Sequence, residues 1–509
     1  MSTRNAQAQV ADEPPLTDAV LMADPQATTV AADTGPPLPM GGVGAVSRRS
    51  TAPIDVLSRR VNAVCTHAVN PLEIAATLEA HGITDAISRD EYDCEDVFVL
   101  ARELYSRVPL RASQYAARRR PVQSTRTSLA RGMLFALPGL FYLLVGPVFS
   151  SAVAPIVVLI AVIAGWGLSQ VLAIVGYTLI GRGNRSGAGK VLGLVLIAGL
   201  AAMCAIGAIA TFGTDWDRNL VAMCCTQILY VMAATVLLMF KRDDLLWMSL
   251  LPGAALSAIY LAGNPAGLSR GVAVGGVVIA MALTFGAALY ASDRAFQEGP
   301  RADIWLGRSD AWTAIQFGTY GLLVATCLAT PTMRAVLDHG TDTALIGLAT
   351  LPLVLSMGVA EWQQVRYAER RHRAKVAAHD MDSFGLAAWR GLLVSVGTHA
   401  AALFGLSLIM AVGIIFVAGG IPWSIVGLLT AYLFLGAALF MSLLLTAWGR
   451  INSILPFLGM AVVVILVLVF ATPSASEQLT EYLAASAVLT ACLFALGWRE
   501  VRILTNHGD

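Results

Sequence analysis

The sequence predicts an all-α, polytopic membrane protein with about 12 transmembrane helices in two six-helix bundles, preceded by a small N-terminal cytoplasmic helical module. The first observation is composition, since the 509 residues are 57% hydrophobic and 13% charged, with a mean hydropathy of +0.69. So much apolar surface cannot be buried against itself, and lipid must form part of the solvent. The other two observations are long apolar runs and basic residues in alternate connections. The net charge of +1 predicts no nucleic-acid partner.

Residues 1–50 are predicted to be a disordered cytoplasmic tail. Ala, Thr, Pro, Asp and Gly dominate this segment, and it has too few large apolar residues to offset the entropy cost of ordering. It also lacks the basic start and apolar core of a secretory signal, so the N-terminus is expected to remain in the cytoplasm.

Residues 51–128 are predicted to form a cytoplasmic helical module followed by a basic linker. In NPLEIAATLEAHG, Asn70 is a candidate cap, Pro71 takes the first helical position and Gly82 follows the last turn. In DCEDVFVLARELYSRVP, Asp93 is the predicted cap of a second amphipathic helix. Its apolar stripe is Val97, Leu100, Leu104 and Val108. A packing or docking module is favoured over a helix-turn-helix DNA-binding unit, because no basic recognition face is present.

Twelve apolar segments follow, each long enough to cross a hydrocarbon core of about 30 Å, which takes about 20 residues. They divide into a first transmembrane half at 129–292, a cytoplasmic connection at 293–311 and a second half at 312–509. A basic cytoplasmic loop at 363–388 separates the eighth span from the ninth. The predicted spans lie near 131–149, 152–180, 190–213, 219–240, 244–263, 271–290, 312–330, 343–362, 388–418, 422–447, 453–471 and 480–498.

Arginine and lysine residues occur in alternate connections, which are cytoplasmic by the positive-inside rule. The densest cluster lies in QQVRYAERRHRAKVAAHDMD and contains Arg366, Arg370, Arg371, Arg373 and Lys375. This cluster and both termini are therefore expected in the cytoplasm. The helical spacing of the cluster predicts an extension of the eighth span that lies near anionic lipid headgroups. Arginine outnumbers lysine 31 to 3, a bias typical of a GC-rich bacterial genome.

Similarity between the two halves predicts a six-plus-six duplication about an axis along the membrane normal. The fifth span opens with SLLPG and the eleventh with SILPF, so Pro252 and Pro456 occupy equivalent positions. The first span contains GLFYLLV and the seventh GTYGLLV. Because proline removes a helix hydrogen bond, we expect both prolines to break their helices beside a substrate cavity.

Ionisable residues are nearly absent from the interiors of the predicted spans. No Asp or Glu lies well inside any of them, so ion coupling through a buried carboxylate is not supported. His399 is the one titratable side chain at depth, and it is either a functional site or a histidine satisfied by a neighbouring helix. Arginines at the predicted cytoplasmic mouths form either a vestibule for a phosphate or diphosphate headgroup or simple topology anchors. These candidate binding residues are Arg131, Arg308, Arg390 and Arg450.

An enzyme is the less favoured interpretation. The loop TDWDR holds Asp215 and Asp217 in a D-x-D pattern of the kind that binds a metal in some membrane glycosyltransferases. Asp338, His339 and Asp342 are the other outer-loop candidates, but these loops are too short to build an acceptor site outside the bilayer. The seven cysteines form no C-x-x-C pair. We therefore expect no catalytic residue, metal site or cofactor.

The predicted architecture resembles the multidrug/oligosaccharidyl-lipid/polysaccharide exporter superfamily, which has two six-helix halves and short outer loops. The stretches LPLVLSMGVAEWQQVRYAERR and AAWRGLLVSVGTHAAALFGLSL are most similar to its polysaccharide flippases and Pel-type exopolysaccharide transporters. The resemblance covers about residues 129–500 and implies alternating access around a central, often cationic cavity. The major facilitator class is an alternative, but its loop signature places an Asp where IGRGNRSGAGK has Gly181.

The sequence and this resemblance together predict a flippase or exporter of a lipid-linked or polymeric glycan in a bacterial plasma (inner) membrane. Two alternatives stay open: a non-transporting scaffold of an envelope-biosynthesis complex, and a major-facilitator-like small-molecule transporter. The expected partners are the glycan substrate, anionic lipids and, through residues 53–109, cytoplasmic glycosyltransferases.

Overall fold

The computed structural model describes residues 53–61, 71–80, 82–107, 125–145, 154–213, 217–263, 265, 267–299, 304, 306–337, 343–377, 381–471 and 475–506. These residues form 17 α-helices and no strand, which confirms the all-α prediction. The helices are α1 (Pro53–Arg60), α2 (Pro71–Ala80), α3 (Asp85–Tyr92), α4 (Val97–Arg107), α5 (Thr125–Val145), α6 (Ala154–Gly181), α7 (Arg185–Gly213), α8 (Arg218–Met239), α9 (Asp243–Leu261), α10 (Arg270–Glu298), α11 (Arg308–Leu337), α12 (Thr343–Ala349), α13 (Leu351–Ala377), α14 (Met381–Ala418), α15 (Trp423–Ala447), α16 (Ile451–Ala471) and α17 (Ala475–Asn506).

The helices α1 to α4 surround a hydrophobic core of their own. Leu78 on α2 and both Leu100 and Leu104 on α4 are fully buried in it. Burying a leucine side chain stabilises a fold by about 1.5–3 kcal/mol, so these contacts account for the association of two short helices. Cys94 belongs to the same core, and burial raises the pKa of its thiol.

Helix ends in this module follow the predicted punctuation in part. The helix α2 begins at Pro71, and Gly82 follows it with a φ of +82°, in the left-handed region that suits glycine. The predicted cap of α4, Asp93, is wrong, because that residue ends α3 with a φ of 55°. The side chain of Asp96 instead accepts a hydrogen bond of 2.7 Å from the backbone N–H of Val99. An N-cap must immediately precede its helix, and Asp93 lies three residues too early.

Eleven segments of the described chain are long and apolar enough to cross a membrane. In addition, α5 covers most of the first predicted span, whose last residues lie outside the described residues. The chain is therefore a polytopic helical membrane protein with about 12 spans. The eighth predicted span corresponds to α12 and α13, and α13 continues to Ala377. This continuation confirms the helical extension predicted for the basic cluster.

The chain divides into two compact units. Among the described residues, the first unit comprises those within Ala161–Ser249 and Ala280–Leu322. The second unit comprises those within Gly35–Ile160, Leu250–Ile279 and Leu323–Asp509. The predicted division into halves at 129–292 and 312–509 follows the chain instead, and it stays a prediction.

Close helix packing in the first unit depends on small residues. The helices α7 and α10 approach at Gly189, where an added Cβ would lie 2.4 Å from the backbone oxygen of Ser292. The helices α6 and α11 approach at Gly321, where a Cβ would lie 3.2 Å from the Cα of Gly167. Glycine lets transmembrane backbones come together without a side chain between them, which increases dispersion contacts where no hydrophobic effect is available.

The second unit contains the most deeply buried helix of the described chain, α15, which packs against α14 and α17. Its residues Tyr432, Leu435 and Ala438 are each at most 1% exposed. In the same unit α5 crosses α13 at Gly358, where an added Cβ would lie 2.4 Å from the backbone oxygen of Ser128. This crossing brings together the side chains of α5 and α13 that form the ion pair described below.

The two predicted helix-breaking prolines lie inside continuous helices. Pro252 is within α9 and Pro456 is within α16, and each helix continues past its proline. The predicted breaks at these positions are therefore wrong. A transmembrane helix tolerates one lost backbone hydrogen bond when neighbouring groups satisfy the freed carbonyl. A substrate cavity beside either proline stays a prediction.

Candidate functional site

Arg131 of α5 forms an ion pair with Glu361 of α13. The two side chains are 15% and 19% exposed, so the pair is largely withdrawn from solvent. The partners are 230 residues apart in sequence, and the close crossing at Gly358 brings them together. Arg131 therefore joins two spans, and a carboxylate compensates its charge.

Arg450 has a similar partner in the second unit. Its Nε lies 2.8 Å from a carboxylate oxygen of Glu500 on α17, with side-chain exposures of 50% and 10%. In the first unit, Arg182 at the end of α6 donates two hydrogen bonds, of 3.0 and 2.8 Å, to Asp310 at the start of α11. The same carboxylate accepts a hydrogen bond of 2.8 Å from the backbone N–H of Gly307. All three ion pairs lie near the ends of predicted spans that adjoin basic connections.

Arg308 and Arg390, the other two predicted binding residues, are exposed. Neither has a carboxylate partner within the described part of the chain. Arg308 belongs to the first unit, whereas Arg131, Arg390 and Arg450 belong to the second. Two of the four arginines are thus compensated by carboxylates, and two keep guanidinium groups that an anion can approach. Their role as a cationic vestibule stays a prediction.

His399 of α14 is 2% exposed, and its ring stacks on Phe440 of α15 with ring centres 4.8 Å apart. The imidazole also lies beside the backbone of Gly436 on α15. Its Nδ1 atom is buried and has no partner among the described residues. The ring therefore packs against a neighbouring helix, and both interpretations of this histidine stay predictions.

The acidic loop residues do not form a metal site within the described residues, where no group of three or more candidate ligands occurs. Asp217 caps α8, since its side chain accepts a hydrogen bond of 2.9 Å from the backbone N–H of Asn219. The other members of the predicted set, Asp215, Asp338, His339 and Asp342, lie outside the described residues.

A feature that the sequence interpretation missed lies at the start of the basic cluster. We call the side chains Trp362, Gln363, Arg366 and Arg370 of α13 the donor stripe, because their spacing places them along one face of the helix. An Nη atom of Arg370 donates a hydrogen bond of 2.7 Å to Ser395 of α14. The spacing of Gln363, Arg366 and Arg370 is a signal for this face, but the sequence interpretation used it only to predict a helical extension near anionic lipid headgroups.

The fold defines the class of protein: a polytopic helical membrane protein. Ion pairs join some of its spans near the ends that carry arginine. No protein-family model matches the chain, and no curated protein matches it in sequence. Solved structures to which it is similar include a multidrug resistance MATE family transporter of the MOP superfamily in an outward-facing conformation. That chain has 14% identity and a TM-score of 0.48, over 76% of this chain and 98% of that one.

Two further structures show the same level of similarity. A structure of MATE in complex with MaL6 has 16% identity and a TM-score of 0.46, over 75% of this chain and 97% of that one. A MOP superfamily transporter from Pyrococcus furiosus has 14% identity and a TM-score of 0.42, over 75% of this chain and 96% of that one. The superfamily that the sequence resembles is thus named in two of these structures. With TM-scores below 0.5, the likeness does not define a family or an activity for this chain.

Proposed function

We propose that this chain is a membrane transporter that exports a lipid-linked or polymeric glycan by alternating access. The observation that supports the proposal is the set of ion pairs between different spans at their arginine-bearing ends. A transporter needs contacts that close one end of a helix bundle and can be exchanged at low cost. The pairs of Arg182 and Arg450, each with one partner about half exposed, have this property, because water replaces the lost partner when the helices separate.

The proposed orientation of the chain in the membrane follows from the positions of its arginine and lysine residues. The ion pairs adjoin the connections rich in arginine, which the positive-inside rule assigns to the cytoplasm. In this orientation both termini and the extension of α13 are cytoplasmic, and the protein lies in a bacterial inner membrane. The ion pairs then belong to the side from which a biosynthetic glycan would enter.

The proposed substrate class depends on the uncompensated arginines. Arg308 and Arg390 are exposed and have no carboxylate partner among the described residues. Guanidinium groups bind phosphate oxygens in a forked geometry, so each of these residues by itself suits the phosphate or diphosphate of a lipid-linked glycan. The compensated residues, Arg131 and Arg450, are assigned to closing contacts in the same proposal.

The test is a charge exchange at the pair formed by Arg131 and Glu361. We expect Arg131→Glu and Glu361→Arg each to reduce glycan export at least tenfold, because two like charges then face each other at the crossing. The double exchange should recover most of the export, since it restores the attraction. Arg242→Glu is the matched control, because the ion pair of Arg242 joins it to Asp244 at the same connection and not to another span.

Unchanged export in both single variants, with normal amounts of protein in the membrane, would contradict the transport proposal. Drug efflux that responds to these variants while glycan export does not would assign the protein to small-molecule transport. A further variant tests the exposed Arg390. We expect Arg390→Glu to lower glycan export without disturbing an ion pair.

A scaffold role has one observation in its favour. The Nζ atom of Lys375 lies 2.8 Å from a carboxylate oxygen of Glu73, so the N-terminal module contacts the extension of α13. Both side chains are about half exposed, and such a pair contributes little to stability. In this alternative the module recruits cytoplasmic glycosyltransferases. Loss of glycan production on deletion of residues 53–109, with charge exchange at Arg131 having no effect, would favour the scaffold.

A further inference from the structure

The donor stripe of α13 contains hydrogen-bond donors that have no acceptor in the part of the chain that the structure describes. Trp362 Nε1, Gln363 Nε2 and Arg366 Nε are each buried and have no acceptor among the described residues. Gln363 is 0% exposed, and its Oε1 already lies 3.4 Å from an Nη atom of Arg370. A buried N–H without an acceptor costs free energy, and native structures rarely leave one unpaired. Three such donors within five residues indicate an acceptor that comes from outside the chain.

Among the described residues, no carboxylate forms an ion pair with Arg366 or Arg370 of the donor stripe. Glu361 is paired with Arg131, and Glu369 lies 3.3 Å from the exposed Arg373. The guanidinium of Arg366 instead lies over the ring of Trp362, 5.2 Å from the ring centre. Arg370 donates to the neutral side chains of Gln363 and Ser395. The missing acceptor is therefore expected to carry negative charge.

The neighbouring helix leaves little side-chain volume beside the donor stripe. Gly391 of α14 packs against Arg370, and an added Cβ there would lie 3.6 Å from the Cβ of Arg370. The hydroxyl oxygen of Ser395, one turn further along α14, accepts a hydrogen bond from the guanidinium. Arg370 of the donor stripe thus packs beside α14, and the other guanidinium group and the two neutral N–H donors lie on the same face of α13. Such a set suits a compact oxyanion with several acceptor oxygens.

We propose that the donor stripe and Ser395 form a binding site for a phosphate-bearing anion. Arg366 supplies a charged donor on one side, Arg370 is held in place by Ser395, and Gln363 supplies a neutral donor from the buried side. The site immediately follows the predicted eighth span, at the level where lipid headgroups lie, so a lipid phosphate and free phosphate are the two sources of this chemistry. The inference does not rest on the proposed transport, because a bound anion could be a resident lipid as well as a cargo.

The test measures binding to the purified full-length protein in detergent. Melting temperature is recorded with short-chain phosphatidylglycerol, with phosphatidylcholine of the same chain length, and with inorganic phosphate. We expect saturable stabilisation by phosphatidylglycerol, by phosphate or by both. The probe that raises the melting temperature shows whether the site takes a lipid phosphate or free phosphate. The variant Arg366→Gln should weaken the apparent affinity at least tenfold, because it removes a charge-assisted hydrogen bond. Arg366 donates no hydrogen bond within the described chain, so this variant should fold normally.

The matched control is Arg371→Gln, which removes the same charge from the same helix outside the donor stripe. We expect its affinity to change less than threefold. A second variant, Gln363→Leu, keeps the charge and removes the buried neutral donor, and it should also weaken binding. Equal losses in Arg366→Gln and Arg371→Gln would overturn the site in favour of diffuse attraction. The absence of stabilisation by every probe, or binding that Arg366→Gln leaves unchanged, would also overturn it.

Discussion

At the scale of single residues, arginines that look alike in the sequence have different environments. The side chain of Arg131 is 15% exposed and paired with Glu361, whereas Arg390 is exposed and has no carboxylate partner among the described residues. A largely buried ion pair is costly to break, because removing one partner leaves a charge in a poorly solvated place. Burial therefore separates the arginines that hold helices together from those that can meet a ligand.

This difference predicts unequal effects of one substitution type. Arg131→Gln should destabilise the protein by about 2 kcal/mol, because Glu361 loses its charged partner. Arg242→Gln should change stability by less than about 0.5 kcal/mol, since that pair is local and 36% and 59% exposed. Melting temperatures of the purified proteins in detergent provide the comparison. An equal decrease in melting temperature in both variants would contradict the prediction that the contact with Glu361 contributes more to stability.

At the scale of helices, the sequence predicted where most helices lie along the chain, but it did not predict which residues contact each other between helices. Apolar length defines a span, and the spacing of the basic cluster correctly predicted that α13 extends to Ala377. Glu361 lies at the edge of a span, and nothing local in the sequence connects it with a residue 230 positions away. The donor stripe has a visible spacing, but only the packing of α13 against α14 shows that its donors lack acceptors. Pro252 shows the opposite error, because a local rule was applied where the helix tolerates the residue.

The crossing of α5 and α13 gives a prediction at this scale. Gly358→Ala should destabilise the protein by about 1–3 kcal/mol, because the new Cβ would lie 2.4 Å from the backbone oxygen of Ser128. Gly397→Ala in α14 is the matched control, since a Cβ there has nothing within 4 Å. Alanine favours a helix over glycine, so the control should be neutral or slightly stabilising. Melting temperatures test both, and a neutral Gly358→Ala would contradict the close crossing.

At the scale of the whole molecule, the proposals on sidedness, substrate entry and the phosphate site share one premise. About 12 spans must cross the membrane so that the connections rich in arginine, including the extension of α13, all lie on the cytoplasmic side. The ion pairs of Arg131, Arg182 and Arg450 then belong to one face of the membrane. A different number of crossings before α13 would place its basic cluster on the opposite face and remove the basis of the transport proposal.

The most direct measurement is labelling of single cysteines in intact bacterial cells with a membrane-impermeant thiol reagent. In a background without native cysteines, His372→Cys reports on the extension of α13, and Ser269→Cys reports on the connection between α9 and α10; both positions are exposed. We predict that Ser269→Cys is labelled in intact cells, whereas His372→Cys is labelled only after the membrane is permeabilised. Labelling of His372→Cys in intact cells, with Ser269→Cys protected, would contradict the account.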